Sequence, residues 1–270
     1  MRIIGHRGAA AHAPEHTLES YDLALQQGAD AVEQDLHVTY DGVLVSLHDR
    51  TLDRTTNARD VFPDRHPWFV HDFTLDEIKR LDAGSWFGAR FAGSRVLTFQ
   101  EVIDLVGSRG ALLPELKDPD VYETLGVDLL ALFADVVRSN GLDRLRAGTV
   151  PLVMQSFHEP TMRRASAILG ARVPLVQLIE PADTYRWNDR DAVAAAASYV
   201  TGIGPGKPIL EARPEVVRWA HDADLRVTPW TFREPALPRF GTLRAEMAYY
   251  LSELGVDAVI TDNPDQGPLS

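Results

Sequence analysis

The sequence predicts a single-domain α/β fold, a (β/α)8 TIM barrel, and three observations support this class. Eight short apolar segments alternate with helical patterns, which is typical of a parallel sheet with crossover helices. The length of 270 residues, 45% of them apolar and 24% charged, suits one such barrel. No predicted strand is followed by the dinucleotide fingerprint G-x-G-x-x-G, which disfavours the alternative of an open doubly wound sheet.

The predicted strands are apolar runs that end in polar or charged residues. They cover residues 2–6, 31–38, 111–115, 152–155, 173–179, 199–203, 225–230 and 257–261. The helical patterns cover residues 17–27, 99–106, 121–139, 160–169, 189–197, 214–223 and 243–254. Since the carboxyl ends of all strands in a parallel barrel meet at one mouth, polar side chains at these ends are candidates for a shared site.

The connection after the second strand departs from this alternation. The strand continues to Tyr40, where Asp41-Gly42 is a strong signal for a two-residue hairpin, and residues 43–48 return antiparallel. Residues 50–98 then precede the next helix that leads into a strand. A structureless loop of this length is uncommon, so we predict one domain of residues 1–270 in which 50–98 form an ordered insertion over the mouth.

The hairpin is expected to gather three polar side chains on one face of the sheet. A two-residue turn pairs residues whose numbers sum to 83, which places His48 opposite Asp35. Residues two apart on a strand share a face, and this adds Glu33 to the group. A bulge in the hairpin would shift this register by one residue.

Glu33, Asp35 and Glu115 are candidate metal ligands. The first two lie inside an apolar strand, where buried carboxylates need a counter-charge, and Glu115 ends the third strand. Oxygen ligands in a chain without cysteine favour a hard cation, Mg²⁺ or Ca²⁺, and do not distinguish the two. The alternatives are exposed strand-edge charges for the first pair and an isolated ion pair with Lys117 for Glu115.

Two histidines and two cationic side chains are expected beside these carboxylates. His6 and Arg7 end the first strand, and Lys117 lies two residues beyond Glu115. His6 and His48 are candidates for a general acid and a general base, although a histidine at a strand end is more often structural. Arg7 and Lys117 are candidates for phosphate binding. The combination predicts phosphoryl or phosphodiester chemistry.

Gln155 and Trp230 are candidate substrate contacts at the ends of the fourth and seventh strands. An amide and a large aromatic ring at the mouth suit the polar and apolar parts of a small molecule. Packing within the barrel is the alternative role for both.

Composition and charge exclude several classes of function. The absence of cysteine excludes a disulfide scaffold, a thiolate metal site and a cysteine nucleophile. The formal net charge of −12 makes nucleic acid an improbable partner. The sequence has no apolar run long enough to span a membrane, and its N-terminus lacks a signal-peptide core, so a cytoplasmic protein is expected unless a leader was removed. The sequence leaves open whether the protein forms a homo-oligomer.

Short motifs follow one another along almost the whole chain. In order they are His6-Arg7-Gly8, Pro14-Glu15-His16-Thr17, Glu33-Gln34-Asp35, His48-Asp49, Arg54-Thr55-Thr56, Glu115-Leu116-Lys117, Gln155-Ser156-Phe157, Trp230-Thr231 and Thr261-Asp262. The combined pattern resembles the glycerophosphodiester phosphodiesterase family, and it is specific although no single motif is.

The resemblance implies a TIM barrel and a divalent-metal hydrolase that splits glycerophosphodiesters into sn-glycerol 3-phosphate and an alcohol. In the mechanism proposed for the family, the glycerol 2-hydroxyl attacks phosphorus to give a cyclic phosphate, which water then opens. By this resemblance, the metal carboxylates of the family correspond to Glu33, Asp35 and Glu115. Its two catalytic histidines correspond to His6 and His48, and its phosphate-binding cations correspond to Arg7 and Lys117.

One motif departs from the family pattern, because His16 stands where the family usually has asparagine. His16 either replaces the amide as a hydrogen-bond donor or marks an altered substrate preference. Two other functions stay open: a related lipid-acting phosphodiesterase of the sphingomyelinase D type, and a catalytically silent barrel that binds phosphodiesters.

Overall fold

The computed structural model of the chain describes residues 2–143, 151–182, 187 and 189–268. The strands in this part of the chain are β1 (Ile3–Gly5), β2 (Ala31–Val38), β3 (Leu44–Ser46), β4 (Ala111–Leu116), β5 (Met154–Ser156), β6 (Leu175–Ile179), β7 (Gly202–Pro205), β8 (Arg226–Val227) and β9 (Val259–Thr261). The α-helices are α1 (Leu18–Gln26), α2 (Ala58–Val61), α3 (Leu75–Ile78), α4 (Phe99–Val106), α5 (Pro119–Thr124), α6 (Leu129–Ser139), α7 (Glu159–Leu169), α8 (Arg190–Ala196), α9 (Lys207–Ala212), α10 (Glu215–Asp222) and α11 (Leu243–Tyr249).

The strands form a TIM-type barrel, as the sequence predicts. Parallel neighbours follow the order β8-β7-β6-β5-β4-β2-β1-β9, and β3 pairs antiparallel with β2 outside this path. The two ends of the path meet, because a parallel bridge joins Phe232 to Thr261 and the amide of Ile260 donates to the carbonyl of Pro229 over 3.1 Å. Helices lie between successive parallel strands of this path, as the crossover connections of a parallel barrel require.

The alternation of side chains along β2 and β4 explains where the polar groups lie. Both strands are buried along their whole length, as parallel strands covered on both faces are. Ala31 and Ala111 belong to one small apolar cluster between the strands. Every second residue after them shares that face, so Glu33 and Glu115 follow in the direction of the carboxyl ends. Each strand is thus apolar at its start and acidic near the mouth.

The predicted hairpin register is wrong by one residue. Leu36 pairs with Ser46 and Val38 with Leu44, so the paired numbers sum to 82 rather than 83. The amide of Thr39 donates to the carbonyl of Val43, which leaves three residues in the turn instead of two. As a result Leu47, not His48, lies across from Asp35.

The reason for the wider turn lies in its side-chain contacts. The carboxylate of Asp41 accepts hydrogen bonds from the Thr39 hydroxyl at 2.6 Å and from the Leu75 amide at 2.9 Å. Gly42 has a φ of +82°, the left-handed conformation that ends a three-residue turn. The contact with Leu75 comes from the following segment, so the Asp41-Gly42 dipeptide alone did not indicate it.

Other element boundaries also differ from the prediction. The single helix predicted over residues 121–139 is two helices, α5 and α6, because Gly126 adopts a φ of +76° between them. The strand predicted at 199–203 begins three residues later, at Gly202, and the strand predicted at 225–230 is regular only over Arg226–Val227. Residues 243–254 form α11 and a π-helical turn, Tyr250–Leu254.

Residues 50–98 hold α2, α3 and two 3₁₀ turns, Val70–Asp72 and Ala89–Phe91. They pack around a second hydrophobic cluster with the end of the hairpin. Its largest buried members are Leu52, Trp68, Val70, Phe73, Ile78 and Leu81. The segment is therefore ordered and has a core of its own.

Candidate active site

One cavity at the carboxyl ends of the strands brings together all nine residues singled out from the sequence. They are His6, Arg7, Glu33, Asp35, His48, Glu115, Lys117, Gln155 and Trp230. Phe157, Leu178, Glu180, Thr231, Arg233 and Ile260 also line it. The cavity lies at the carboxyl ends of the barrel strands, where TIM-barrel enzymes hold their active sites.

The three carboxylates are buried and come from two neighbouring strands. Asp35 on β2 is in register with Glu115 on β4, and Glu33 lies one pleat earlier. Each of the three residues is at most 6% exposed. Lys117 lies beside them, with its Nζ 3.0 Å from Glu115 Oε1 and 3.5 Å from Asp35 Oδ1.

The positive charge of Lys117 only partly offsets the negative charge of the three carboxylates. Burial raises the pKa of Glu33 well above its usual value, and repulsion from Asp35 adds to the effect. Burial also raises the pKa of Glu115 to about 8, although Lys117 opposes the shift. The pKa of Asp35 is lowered despite its burial, because Lys117 and His16 stabilise the ionised form. Buried carboxylates whose ionisation is made unfavourable in this way fit a hard divalent cation, whose charge would favour their ionised form.

The two histidines are oriented in the same way by different elements. His6 Nδ1 lies 2.5 Å from Asp262 Oδ1, and His48 Nδ1 lies 2.6 Å from Asp49 Oδ1. With Nδ1–H donating to a carboxylate, Nε2 is the nitrogen that exchanges a proton with a ligand. Burial lowers the pKa of His6, although the hydrogen bond to Asp262 opposes the shift.

His48 reaches the cavity although its predicted partner was wrong. β3 ends at Ser46, and His48 lies two residues beyond it, outside the paired part of the hairpin. The strict alternation of faces therefore no longer applies to it. Its position depends on Asp49, the next residue, and on the hydrogen-bond network that holds Asp49.

Arg7 is fixed by contacts from several sides. Its backbone has a φ of +53°, and its amide donates to Glu33 Oε2 over 2.8 Å. Its guanidinium donates to Glu15 Oε1 over 3.0 Å, and its Nε lies 3.3 Å from Asp35 Oδ2. Arg54 completes the network, because its guanidinium donates to both Glu15 and Asp49.

Gln155 and Trp230 differ in how much of their polar surface is available. The indole Nε1–H of Trp230 donates to the carbonyl of Gly204 over 2.7 Å, and its ring packs edge-on against Phe157 at 5.6 Å. Trp230 therefore offers its aromatic ring surface, and not its N–H group, to a ligand in the cavity. Gln155 is 2% exposed, and its Oε1 has no hydrogen-bond partner among the described residues, so this oxygen is available to a ligand.

His16 lies behind the carboxylates at 2% exposure. Its Nε2 lies 2.9 Å from Asp35 Oδ2 and its Nδ1 lies 2.7 Å from the Tyr21 hydroxyl. One ligand atom each from His16, Glu33 and Asp35 lie within 4.8 Å of one another. The sequence marked His16 only as a departure from a motif.

No role was predicted for Asp49, Asp262 or Arg54. All three stand in the short motifs that carry the family resemblance, which was the available signal. Their partners could not be read from spacing, because His6 and Asp262 are 256 residues apart. The barrel brings them together when β9 pairs with β1.

The site can bind and polarise an anionic ester. Arg7 and Lys117 supply fixed positive charge, the carboxylates suit a divalent cation, and two imidazoles can accept and donate protons.

No helix in the described part of the chain is both long and apolar enough to cross a membrane.

Comparison with known proteins agrees with this chemistry. The profile of the Glycerophosphoryl diester phosphodiesterase family matches residues 6–266. A glycerophosphodiester phosphodiesterase from Caldanaerobacter subterraneus subsp. tengcongensis is 46% identical, covering 97% of this chain and 94% of that protein. One from Haemophilus influenzae is 31% identical, covering 98% of this chain and 88% of that protein.

Solved structures give the same result. A glycerophosphodiester phosphodiesterase from Agrobacterium tumefaciens superposes with a TM-score of 0.74 at 28% identity, covering 98% of both chains. A phosphodiesterase from Oleispira antarctica, solved with the product sn-glycerol-3-phosphate, has a TM-score of 0.75 at 26% identity. That match covers 98% of this chain and 94% of the other.

Proposed function

The chain belongs to the glycerophosphoryl diester phosphodiesterase family, and we propose that it hydrolyses glycerophosphodiesters to sn-glycerol 3-phosphate and an alcohol with a divalent cation and two catalytic histidines. One observation carries the proposal: two imidazoles, each anchored through Nδ1 to a carboxylate, line the same cavity as three buried carboxylates and two cationic side chains. As a family member, the enzyme is a phosphoric diester hydrolase.

Glu33, Asp35 and Glu115 would hold the cation, Mg²⁺ or Ca²⁺. Their burial and the raised pKa of Glu33 and Glu115 support this role, because a divalent ion relieves the carboxylate repulsion. When bound, the ion would stabilise negative charge on the phosphoryl oxygens.

Arg7 and Lys117 bind the phosphate. The Arg7 guanidinium is already oriented by Glu15, so little side-chain entropy is lost when it grips an oxyanion. The Lys117 ammonium lies between two carboxylates and provides a point charge at the same cavity.

His6 and His48 move the protons. One imidazole accepts at Nε2 the proton of the attacking glycerol hydroxyl, and the other donates a proton to the departing alkoxide. The P–O bond to the alcohol breaks as the bond to the glycerol oxygen forms. Water then opens the cyclic phosphate with the two roles reversed, which restores both protonation states.

Gln155 and Trp230 orient the substrate. The unpartnered Oε1 of Gln155 accepts a hydrogen bond from a substrate hydroxyl, and the Trp230 ring packs against carbon atoms. This assignment leaves the head group of the alcohol unspecified.

A product assay with matched variants tests the proposal. Purified enzyme is incubated with glycerophosphocholine or glycerophosphoethanolamine and Mg²⁺ or Ca²⁺, and glycerol 3-phosphate is measured. We expect release by the wild type and loss of turnover in His6→Ala and His48→Ala with an unchanged fold. His221→Ala is the control, since His221 pairs with Asp257 outside the cavity and is expected to leave the rate unchanged. No release by the wild type with any metal would instead support a silent binding barrel.

A further inference from the structure

We propose that His16 is a positioning residue that holds one oxygen of Asp35, so that the other oxygen of this carboxylate is directed to the metal in the cavity. The inference rests on the function proposed above.

The contacts of His16 define the hydrogen-bond directions. The ionised carboxylate of Asp35 only accepts hydrogen bonds, so His16 Nε2 carries a proton and donates it to Asp35 Oδ2 over 2.9 Å. On the other side of the ring, Nδ1 forms a hydrogen bond of 2.7 Å with the Tyr21 hydroxyl. Tyr21 is itself fully buried on α1, so the ring is held on both sides.

The two oxygens of Asp35 have different surroundings. Oδ2 meets His16 and the Nε of Arg7, at 2.9 and 3.3 Å. Oδ1 faces Lys117, at 3.5 Å, on the side of Glu115. Because His16 bonds to Oδ2, Oδ1 is the oxygen that faces Lys117 and Glu115, on the side where a cation shared by Asp35 and Glu115 would lie.

Direct coordination by His16 is the competing interpretation, and two observations oppose it. His16 does not line the cavity, whereas Asp35 does. An ion at Nε2 would also displace the hydrogen bond between His16 and Asp35.

An asparagine at position 16 would keep the hydrogen-bond donor to Asp35 but lose the contact that holds the imidazole from behind. An asparagine amide and the imidazole Nε2–H both donate one hydrogen bond to a carboxylate. The longer imidazole also reaches Tyr21, which connects the carboxylate to helix α1. Groups that orient metal ligands in this way usually change metal affinity 10- to 100-fold when removed.

Metal affinity provides the first test. Chelator-stripped protein is titrated with Mn²⁺, and free Mn²⁺ is measured by electron paramagnetic resonance. We expect His16→Ala to weaken Mn²⁺ binding about 10- to 100-fold, His16→Asn to bind like the wild type, and saturating metal to restore the kcat of His16→Ala. Wild-type affinity in a folded His16→Ala protein would overturn the inference while leaving the proposed function intact. A wild type that binds no Mn²⁺ would contradict the metal proposal and this inference with it.

A second, spectroscopic test does not use the His16→Ala variant and so does not depend on its folding. Electron spin-echo envelope modulation of the Mn²⁺-loaded wild type and of His16→Asn reports nitrogen bound to the metal. We expect the same nitrogen signal in both proteins, because His16 bonds to Asp35 and not to the ion. An imidazole coupling that is present in the wild type and absent in His16→Asn would show coordination and overturn the positioning role.

Discussion

His6 and His48 resemble each other in one respect that the primary structure does not display: each ring is anchored by a carboxylate on Nδ1. Such an anchor fixes the ring orientation and the tautomer, so that Nε2 faces the cavity with a defined protonation. Asp49 and Asp262 therefore belong to the proposed catalytic apparatus through the histidines that they hold.

Asp49→Asn tests this arrangement at the residue scale. An asparagine amide can donate to Nδ1, which would move the ring proton to Nε2 and leave the wrong tautomer. We expect kcat to fall about 100-fold or more, the range in which general acid–base catalysis acts, with little change in fold. Steady-state kinetics on glycerophosphocholine measure the effect. Asp53→Asn is the control, because Asp53 pairs with Arg59 instead of a histidine; equal losses in both variants would contradict the role of Asp49.

The limits of sequence reasoning are also visible at individual residues. Glu33, Glu115 and Lys117 could be predicted, because strand ends of a parallel barrel converge and every second residue shares a face. The contact between His6 and Asp262 could not, because it depends on the pairing of the first strand with the last. His16 was recognised as unusual, but its bond to Asp35 depends on a left-handed backbone with a φ of +61°.

At the scale of elements, the position of the hairpin was predicted correctly from its motif, but the register of its two strands was not. Asp41-Gly42 does form the turn, yet the turn has three residues because Asp41 also bonds to Leu75. Local sequence predicts the presence of a turn, and contacts from a distant segment decide its length. His48 still lies in the cavity because it follows the paired strand.

The turn can be tested by comparing two glycines. Gly42 has a φ of +82°, whereas Gly88 has a φ of 169°, and a Cβ would meet no atom within 4 Å at either position. Gly42→Ala should lower the free energy of unfolding by about 1 kcal/mol through backbone strain alone, and Gly88→Ala should not lower it. Urea unfolding of both variants measures the difference, and equal stabilities would contradict the described turn.

His37 on β2 makes an element-scale prediction about pH. It is fully buried, bonds to the Tyr122 hydroxyl at 2.9 Å, and burial lowers its pKa to about 3. The unfolded chain takes up a proton at this residue near pH 6.5, while the folded chain does not. Stability is therefore lost as the pH falls from about 6.5 towards 3, by about 1.4 kcal/mol per pH unit from this group.

The measurement compares urea unfolding of the wild type and His37→Gln between pH 4 and pH 8. The wild type should lose more stability than the variant on acidification. The comparison isolates His37, because the raised pKa of Glu33 and Glu115 acts in the opposite direction in both proteins. Parallel pH curves for the two proteins would contradict the assignment.

For the whole molecule, the alternation of strands and helices was sufficient to predict the barrel and the convergence of its site. The lengths of the short strands were not predicted, because the pairing that defines them depends on neighbours distant in sequence. The assignment of residues 1–270 to one domain with an insertion at 50–98 stays a prediction. A cation bound among the carboxylates would raise the free energy of unfolding of the whole protein.

Thermal unfolding tests this effect. A ligand that binds only the folded state stabilises it by about 2.7 kcal/mol at 100 times its dissociation constant. For a chain of this size we expect Mg²⁺ or Ca²⁺ to raise the Tm of the stripped enzyme by several degrees. Glu115→Gln should reduce the increase, whereas Glu123→Gln, an exposed site that pairs with Arg164, should preserve it. A Tm that does not respond to either metal would contradict the predicted site.

The central claim is that one mouth of the barrel combines a metal site with two histidines to cleave glycerophosphodiesters. The most direct measurement is the release of glycerol 3-phosphate from glycerophosphocholine by chelator-stripped enzyme before and after metal is returned. We predict no release from the stripped enzyme and full recovery with Mg²⁺ or Ca²⁺. Undiminished release after thorough chelation, or none with any metal, would contradict the claim.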